Sequence, residues 1–543
     1  MTLTESIREP LAGQHFQVAI VGGGITGVAI ARECARAGKR TLLVEQRDFA
    51  SGTTSRSTRI LSGLRSLEQG EVADTREILR EQQRLVHERP HLAHASHFLM
   101  ALSSENQRSA MSARTSLWLY RRMVEGKLDT ASFELAHKKL EHALDHGLRW
   151  SIFDYEDAQC EFPERLVAAW LGEAVSAGAV VRNHTQVLAI DVIAGRARGL
   201  MLRDWTRNIE EKIEATWVIN ATGPWVDKLC QRSSIKTHRP MTTGVRGSHI
   251  VVPNFPGAPS TTLYGETIDG KPLFVVPWNE QILVGATQVA DTADPSKVQP
   301  AIDEIEYLLR SLARMFPKAR MSASDIRYAY AGVRPIPFDL KAKPSLPPPA
   351  IHDHEDDKVS RMISVVGGSL ATAMAAGRDC AREIGIRVPE PRAVGMVDSK
   401  MLSPLFDQWV VDIAEAGNIS EDSSRAIVEW HGKSAMDIAR SAMSSVELRT
   451  PLCPHSQHIV AEAVHAYRHE CAVTLGDVLL RRVPVALGRC WSESCSREAA
   501  LRIGAVLGWN DMTVGANLEA LEMERAAFLR KPRMAMTMEA AAD

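Results

Sequence analysis

Gly22-Gly23-Gly24-Ile25-Thr26-Gly27 is the stretch that decides the fold of the first part of the chain. It follows an apolar run, Val18 to Val21, and opens an apolar, alanine-rich segment. The next apolar run, Thr41 to Val44, ends at Glu45. Strand, glycine turn, helix, strand and acid in this order are typical of a Rossmann-like unit that binds a dinucleotide. The sequence therefore predicts a bound dinucleotide, with an empty α/β unit as the alternative.

Each residue type in this motif has a physical role. Gly22, Gly24 and Gly27 allow a tight turn and a close approach of the backbone to a pyrophosphate. The amides at the N-terminus of the following helix offer donors to the phosphate charge. Glu45 lies 23 residues after Gly22, where it is placed to accept hydrogen bonds from an adenosine ribose.

Size and composition set further limits. The 543 residues exceed one ordinary core and indicate two or three domains. A hydrophobic content of 45% and a charged content of 24% are typical of a soluble globular protein. The net charge of −2 gives no electrostatic reason to expect nucleic-acid binding. Met1 to His15 lacks the apolar core of a signal peptide. No apolar run approaches the roughly 18 residues of a membrane-spanning helix.

The cysteine pattern predicts no metal site. The eight cysteines are scattered, and no Cys-x-x-Cys motif occurs. Cys490 and Cys495 have four residues between them, but no second pair completes a metal-binding set. His465 and His469 lie four apart on a predicted helix, and a structural role is favoured for them over metal binding. Reduced, buried cysteines of a cytosolic protein are the favoured interpretation.

Three further turns carry residues suited to a ligand. The loop Ser51 to Arg59 is dense in hydroxyls and cations, as phosphate-binding loops and many surface loops are. Ala221-Thr222-Gly223 ends a β-rich run, at the edge where open α/β sheets bind ligands. Gly367-Gly368 separates a strand, Met362 to Val366, from an alanine-rich helix over about 370–384. The last pattern predicts a second helix N-terminus facing the dinucleotide.

The middle of the chain predicts a sheet and its end predicts helices. Ser248 to Val252, Leu273 to Val276 and Ile282 to Val284 are β-rich, and the last two predict a hairpin with a longer loop. The proline-rich and charged stretch 342–357 predicts a solvated loop. Apolar periodicity predicts helices over 72–88, 421–429, 459–480, 497–507 and 518–529.

With these residues, the chain resembles the FAD-dependent glycerol-3-phosphate dehydrogenases, a branch of the D-amino-acid-oxidase-like flavoproteins. The resemblance extends from Gln17 to about Trp509. Besides the glycine motif, the matching stretches are Gly63 to Arg65, Asn220 to Val226, Gly247 to Pro253, Gly332 to Pro335, Ser364 to Gly368, Ala466 to Glu470 and Leu479 to Arg482.

This resemblance implies an α/β fold class with three parts. A Rossmann-like FAD-binding domain and an antiparallel β-sheet substrate domain share residues 15–391, with the substrate domain inserted mainly around 90–150 and 226–330. A C-terminal all-helical domain takes residues 392–543. The implied activity is an FAD-dependent oxidation of the secondary alcohol of sn-glycerol 3-phosphate by hydride transfer, with quinone or oxygen as the electron acceptor.

The resemblance also implies the site residues. His249 is the candidate general base, because a histidine titrates near the working pH. Arg65 and Arg334 match arginines near the substrate, where a planar guanidinium suits an anionic head group. The residues expected to hold FAD are Gly22, Gly24, Gly27, Glu45, Thr54, Ser55, Thr222, Gly223, Gly367 and Gly368.

Departures from the family pattern cluster at the substrate. Relatives usually continue Gly-Gly with Lys-Leu-Thr-Thr-Tyr-Arg, and this chain has Ser369 to Met374. A family His-Gly pair before Gly63 is Leu61-Ser62, and a family Gly-Thr-Thr-Asp is Gly285 to Gln288. A further family arginine has no clear counterpart, since Lys341 and Lys343 cannot present a bidentate fork. Two lost charge-assisted contacts cost about a hundred-fold or more in affinity.

These departures leave two alternatives open. One is a diverged flavoenzyme acting on another polyol phosphate, a hydroxy acid or an amine. The other is a catalytically silent protein that binds partners through its helical domain. The expected location is the cytoplasm, with peripheral contact at the inner face of the cytoplasmic membrane left open for the basic residues Arg481-Arg482 and Arg530 to Arg533. The sequence indicates no oligomeric state.

Overall fold

The protein is described from a computed structural model that covers residues 9–124, 131–291, 293–338, 348–391, 399–489 and 492–529. Its strands are β1 (His15–Val21), β2 (Thr41–Val44), β3 (Ala93–Ser103), β4 (Trp150–Cys160), β5 (Val180–Arg182), β6 (Thr185–Ile193), β7 (Arg196–Asp204), β8 (Ile209–Asn220), β9 (Thr242–Pro253), β10 (Thr262–Glu266), β11 (Pro272–Trp278), β12 (Gln281–Gly285), β13 (Val289–Ala290), β14 (Tyr328–Pro337), β15 (Ala350–Asp353) and β16 (Met362–Val366).

The helices alternate with these strands as far as β16, and after β16 the named elements of the described residues are helices. They are α1 (Ile25–Arg36), α2 (Leu64–Glu68), α3 (Val72–Glu88), α4 (Ala110–Met123), α5 (Ala131–Ala143), α6 (Pro163–Ser176), α7 (Val226–Arg232), α8 (Ile302–Met315), α9 (Ala373–Glu383), α10 (Ser399–Gly417), α11 (Glu421–His431), α12 (Ala435–Met443), α13 (Val446–Arg449), α14 (Val460–His469), α15 (Leu475–Asp477), α16 (Glu493–Leu507) and α17 (Asp511–Phe528). A π-helical turn, Val478–Arg482, follows α15.

Sheet A is the Rossmann-like layer. Its main strand order is β15-β16-β8-β1-β2-β5, and β1 pairs in parallel with both β2 and β8. All four residues of β2 are buried, as expected for a parallel strand covered on both faces. Helix α9 packs closely against α1, because a Cβ added at Gly377 would lie 2.9 Å from the Ala29 carbonyl carbon.

Sheet B forms the second layer, with the main order β13-β9-β12-β11-β10-β3-β4 and with β14 on β9. Its pairings are antiparallel except that of β10 with β3, which is parallel. Helix α8 covers one face with a buried apolar stripe. The predicted fold class is therefore confirmed, with one parallel pair inside the sheet that was predicted to be antiparallel.

The helical part docks on sheet A through buried ion pairs. Asp48 follows β2, and its carboxylate accepts from Arg482 Nη1 (2.6 Å) and Nη2 (2.8 Å) and from Arg481 Nε (2.5 Å). Arg481, Arg482 and Asp48 are each 2% exposed or less. The interpretation of Arg481-Arg482 as a surface cluster that meets lipid is therefore wrong. Arg530 to Arg533 lie outside the described residues.

Several predicted elements are corrected in length. The predicted helix over 459–480 ends at His469, because Thr474 caps a new turn and Cys471 takes a positive φ of 60°. The β11–β12 hairpin is tighter than predicted, since Trp278 pairs with Gln281. Part of the predicted loop 342–357 is strand β15, while 339–347 lie outside the described residues.

The predicted division at 391/392 stays a prediction, since residues 392–398 also lie outside the described residues. Within the described ranges, no helix has both the length and the apolar character needed to cross a membrane.

Candidate active site

One cleft receives residues from both sheets. The carboxyl ends of β1, β2, β8 and β16 contribute one wall, and residues of β11 and β14 contribute another. The predicted site residues that line it are Gly22, Gly24, Glu45, Thr54, Arg65, Thr222, Gly223, Arg334, Gly367 and Gly368. Gly27, Ser55 and His249 are not among the lining residues.

The glycine turn after β1 leaves no room for side chains at two positions. A Cβ at Gly27 would lie 1.8 Å from the Gly22 carbonyl oxygen, so Gly27 acts by allowing α1 to pack against the turn. Gly22 has a φ of +109°, and a Cβ there would lie 2.5 Å from the Ala221 carbonyl oxygen. Gly24 faces the cleft at the start of α1. The backbone therefore forms the cradle that a pyrophosphate needs.

Glu45 is fixed beside this cradle. Its Oε2 accepts from the Gly23 amide (2.7 Å) and its Oε1 from the Arg47 amide (2.9 Å). Burial raises the pKa of the Glu45 carboxyl, while these two amides act in the opposite direction. Thr54 Oγ1 accepts a hydrogen bond from the Ile25 amide (3.1 Å), which is the first amide of α1. These contacts orient an acid where a ribose is expected.

Ser55 lies on the other side of the same loop. Its hydroxyl donates to the Gly52 carbonyl (3.3 Å), and the residue lines a separate small cavity with Arg59 and Glu164. Loop composition alone does not indicate which hydroxyl faces inward. The structure thus brings Thr54 to the cleft and leaves Ser55 outside it.

Arg65 and Arg334 meet at the far end of the cleft. Arg334 lies on β14, and burial followed by the charge of Arg65 lowers its pKa to about 10, so it stays charged at neutral pH. Among the described residues, neither guanidinium has a carboxylate partner within ion-pair distance. With its amide oxygen turned toward Arg65, Gln288 accepts from both terminal nitrogens (3.1 and 3.2 Å). Two converging guanidinium groups form a site for an anion.

His249 lies behind the cleft wall, on β9. It is 1% exposed, and its Nε2 lies 3.0 Å from the hydroxyl of Thr58, which does line the cleft. Its ring stacks on Tyr330, with ring centroids 4.8 Å apart. A Cβ at Gly285 would lie 2.3 Å from His249 Cδ2, so this glycine makes room for the ring.

The surroundings of His249 keep its imidazole neutral. Burial, then the charges of Arg334 and Arg59, lower its pKa to about 3. The imidazole is therefore neutral and able to accept a proton, but the same surroundings make it a weaker base than the near-neutral histidine expected from sequence. Sequence reasoning did not identify Thr58, which stands between the histidine and the cleft.

Asp157 is a second residue that sequence reasoning missed. It is 4% exposed and accepts from Gln82 Nε2 (2.6 Å), the Tyr120 hydroxyl (3.2 Å) and the Ala158 amide (3.0 Å). Burial raises its pKa to about 7, while hydrogen bonds from Ser62 and its other partners lower it. Ser62 itself lines the cleft, so a titrating carboxyl lies directly behind the wall.

The family departures fall on this end of the cleft. Ser369 lines it where relatives usually carry the lysine, and its hydroxyl contacts Thr372 Oγ1 at 3.2 Å. A neutral hydroxyl, which accepts from the Thr372 amide just before α9 (3.3 Å), replaces a cation there. Lys341 and Lys343 lie outside the described residues.

Comparison with family models matches two descriptions. Residues 17–382 match the FAD dependent oxidoreductase family, and residues 399–514 match the C-terminal domain of alpha-glycerophosphate oxidase. The first match alone covers more than half of the chain.

Curated relatives and solved structures agree with these models. A glycerol-3-phosphate dehydrogenase of Synechocystis is 32% identical over 87% of this chain and 89% of its own length. An aerobic glycerol-3-phosphate dehydrogenase of Staphylococcus saprophyticus is 27% identical over 88% of each chain. The fold is similar to that of the Bacillus halodurans glycerol-3-phosphate dehydrogenase complexed with FAD, with a TM-score of 0.75, 21% identity and 97% coverage of both chains.

Proposed function

Because the chain belongs to the FAD-dependent oxidoreductase family, in the branch of the glycerol-3-phosphate dehydrogenases, we propose that it oxidises sn-glycerol 3-phosphate to dihydroxyacetone phosphate. When bound, FAD supplies the acceptor for the hydride of the alcohol carbon, and the electrons then pass to quinone or oxygen. The observation that carries the proposed substrate is the pair of guanidinium groups, Arg65 and Arg334, in the same cleft as the glycine cradle.

The residues that line the cleft fit this cofactor. Amides of the Gly22–Gly24 turn and the N-terminus of α1 would hold the pyrophosphate, and Glu45 would hold a ribose, since all of them line the cleft. Thr222, Gly223, Gly367 and Gly368 complete the proposed cofactor set. Gly27 contributes through packing, and Ser55 is removed from the set because it faces a different cavity.

The arginine pair suits a phosphate monoester. Arg334 has no carboxylate partner among the described residues, and its charge is retained despite burial. The phosphate replaces the missing counter-charge, and each charge-assisted hydrogen bond contributes about 1.5–3 kcal/mol. Unphosphorylated glycerol has no charge for this end of the cleft. The proposal therefore favours a phosphorylated over a neutral polyol.

His249 is proposed as the base, acting through Thr58. Oxidation of the alcohol removes a hydride from carbon and a proton from oxygen, and a ketone remains. The Thr58 hydroxyl accepts the substrate proton as it donates its own to His249 Nε2, 3.0 Å away. His249 would then lie one hydrogen-bonded step from the substrate proton, as general base catalysis requires.

Anaerobic bleaching of the flavin tests the substrate. The holoenzyme is mixed with sn-glycerol 3-phosphate, glycerol, other polyol phosphates and 2-hydroxy acids. Rapid bleaching by glycerol 3-phosphate supports the proposal. Bleaching only by another compound identifies a diverged enzyme, and a flavin that no compound bleaches identifies the silent alternative.

Arg334→Gln tests the anion site in the same assay. We expect kcat/KM for glycerol 3-phosphate to fall at least ~10-fold, with unchanged FAD content, because a charge-assisted contact is lost. Arg203→Gln is the matched control, since Arg203 lies on β7 in an exposed pair with Glu210. Equal kcat/KM in the two variants contradicts phosphate binding by Arg334.

A further inference from the structure

A group of metal-ligating side chains lies in the helical domain, away from the cleft. Cys453 and His455 belong to the loop between α13 and α14, and Cys495 lies in the first turn of α16. The two sulfur atoms and one ring nitrogen of this group all lie within 4.8 Å of one another. His455 Nδ1 is 3.3 Å from Cys495 Sγ.

We propose that Cys453, His455 and Cys495 bind a zinc ion. Two thiolates and an imidazole nitrogen are a soft ligand set, which selects zinc over magnesium or calcium. Tetrahedral zinc with ordinary bond lengths of about 2.0–2.3 Å holds its ligand atoms roughly 3.5 Å apart. The 3.3 Å contact between His455 Nδ1 and Cys495 Sγ and the 4.8 Å upper limit for all three pairs bracket this value.

Charge and burial favour the same ion. Cys453 is 1% exposed and Cys495 is 7% exposed, while His455 is exposed and gives an entry path. Binding displaces both thiol protons to solvent, and two thiolates neutralise a divalent cation. The complex with a neutral His455 thus has no net charge, which suits two ligand atoms from buried cysteines.

In the described part of the chain, two other groups have a metal-like composition, and both already have internal counter-charges. Asp48, beside His184 and Asp477, is held by Arg481 and Arg482. In the group of His352, His354 and Asp357, the Asp357 carboxylate accepts from both histidines and from His238 at 2.6–2.9 Å.

The zinc ion would join two segments that are distant in sequence. The loop that carries Cys453 is closed by hydrogen bonds from the Leu452 amide to the His458 carbonyl (2.8 Å) and from the Val460 amide to the Thr450 carbonyl (2.9 Å). Cys495 donates its amide to the capping hydroxyl of Ser492 (3.1 Å). Among the described residues, three side chains supply ligands to a tetrahedral site. Cys490 lies outside the described residues. Cysteine spacing alone predicted no metal site, and the proposed zinc site replaces that prediction.

Metal content of the full-length holoenzyme tests the site. The protein is purified in reducing buffer, dialysed against metal-free buffer, and its zinc is measured by mass spectrometry before and after addition of Zn²⁺. We expect one zinc per chain in the wild type. His455→Ala should bind at least ~10-fold more weakly, and its folding should be little affected because His455 is exposed. Cys380→Ala, which removes a buried thiol from α9, should retain the zinc.

A second measurement separates the metal from packing. Chelation should lower the Tm of the helical domain in the wild type but not in His455→Ala, because only the native state offers the assembled site. Equal zinc in the wild type and His455→Ala overturns the proposal. Wild-type protein without bound zinc, or a Cys453–Cys495 disulfide found by peptide mapping, also overturns it. FAD content reports on the other domain and should be equal in all variants.

Discussion

The two ends of the cleft are built in different ways. At the cofactor end, the backbone determines the shape of the cleft. There is no room for a side chain at Gly22 or Gly27, and backbone amides are available to a ligand. At the substrate end, side chains from distant strands supply it, including Arg334, Gln288 and the Thr58–His249 contact. Backbone geometry tolerates little sequence change, whereas a side-chain set is replaced one residue at a time. The departures from the family pattern at Ser62, Gln288 and Ser369 are side-chain changes, while the glycines of the cradle are retained.

Gly27→Ala is the strongest test of the backbone end. The added Cβ would lie 1.8 Å from the Gly22 carbonyl oxygen, so α1 must shift away from the turn. We expect complete loss of FAD, measured by absorbance of the purified protein. Gly172→Ala in α6 is the control, because nothing lies within 4 Å of its Cβ and alanine is the better helix former. A yellow Gly27→Ala protein would show that the backbone cradle is adaptable.

His249→Gln tests the side-chain end. The variant should retain FAD and lose at least ~10²-fold in kcat, because the general base is removed. The depressed pKa of His249, about 3, also predicts that its protonation does not limit kcat in the wild type between pH 6 and 8. Near-normal turnover of the variant would remove His249 from the proposed role.

The sign of the His249 shift also fixes its effect on stability. Its pKa is lower in the folded chain than in the unfolded chain, so the stability that the neutral ring contributes is present above about pH 6.5 and is lost as pH falls toward 3.

Gln288→Glu tests how charge is balanced beside the substrate. A carboxylate at this position would bind Arg65 directly and compete with an anionic substrate. We expect KM for glycerol 3-phosphate to rise about 10-fold, because the anion loses one charge-assisted contact. The effect on kcat should be smaller. Gln288→Ala, which frees Arg65, should not raise KM as much. Equal KM values in the two variants would show that Arg65 does not contact the anion.

Asp157→Asn gives the smallest expected effect and concerns the wall behind the cleft. Because the folded pKa of about 7 lies above the unfolded value, the wild type loses stability as pH rises from about 4 to 7. Asparagine does not titrate, so the Tm of the variant should fall less over this range. Asp154→Asn, at an exposed position of the same strand, should follow the wild type. Parallel pH profiles for Asp157→Asn and the wild type would contradict the raised pKa.

The same contrast explains what could be predicted from sequence. The glycine motif, Glu45 and the helix over 72–88 depend on neighbours within a few turns, and the structure places the helix at Val72–Glu88. The Thr58–His249 contact joins residues 191 positions apart, and Asp157 meets Gln82 across 75 positions. Such contacts join different elements of the fold and leave no local pattern in the sequence. Loop composition also did not indicate that Ser55 lines a different cavity from its neighbour Thr54.

The ion pairs of Asp48 have a consequence for the order in which the protein is assembled. Asp48 lies three residues after Glu45, and its charge is balanced by Arg481 and Arg482, which leave the ribosome more than four hundred residues later. Before those residues exist, the loop that follows Glu45 lacks the two arginines that hold Asp48 in the folded chain. The position of this loop beside the expected ribose site therefore depends on contacts that only the nearly complete chain supplies.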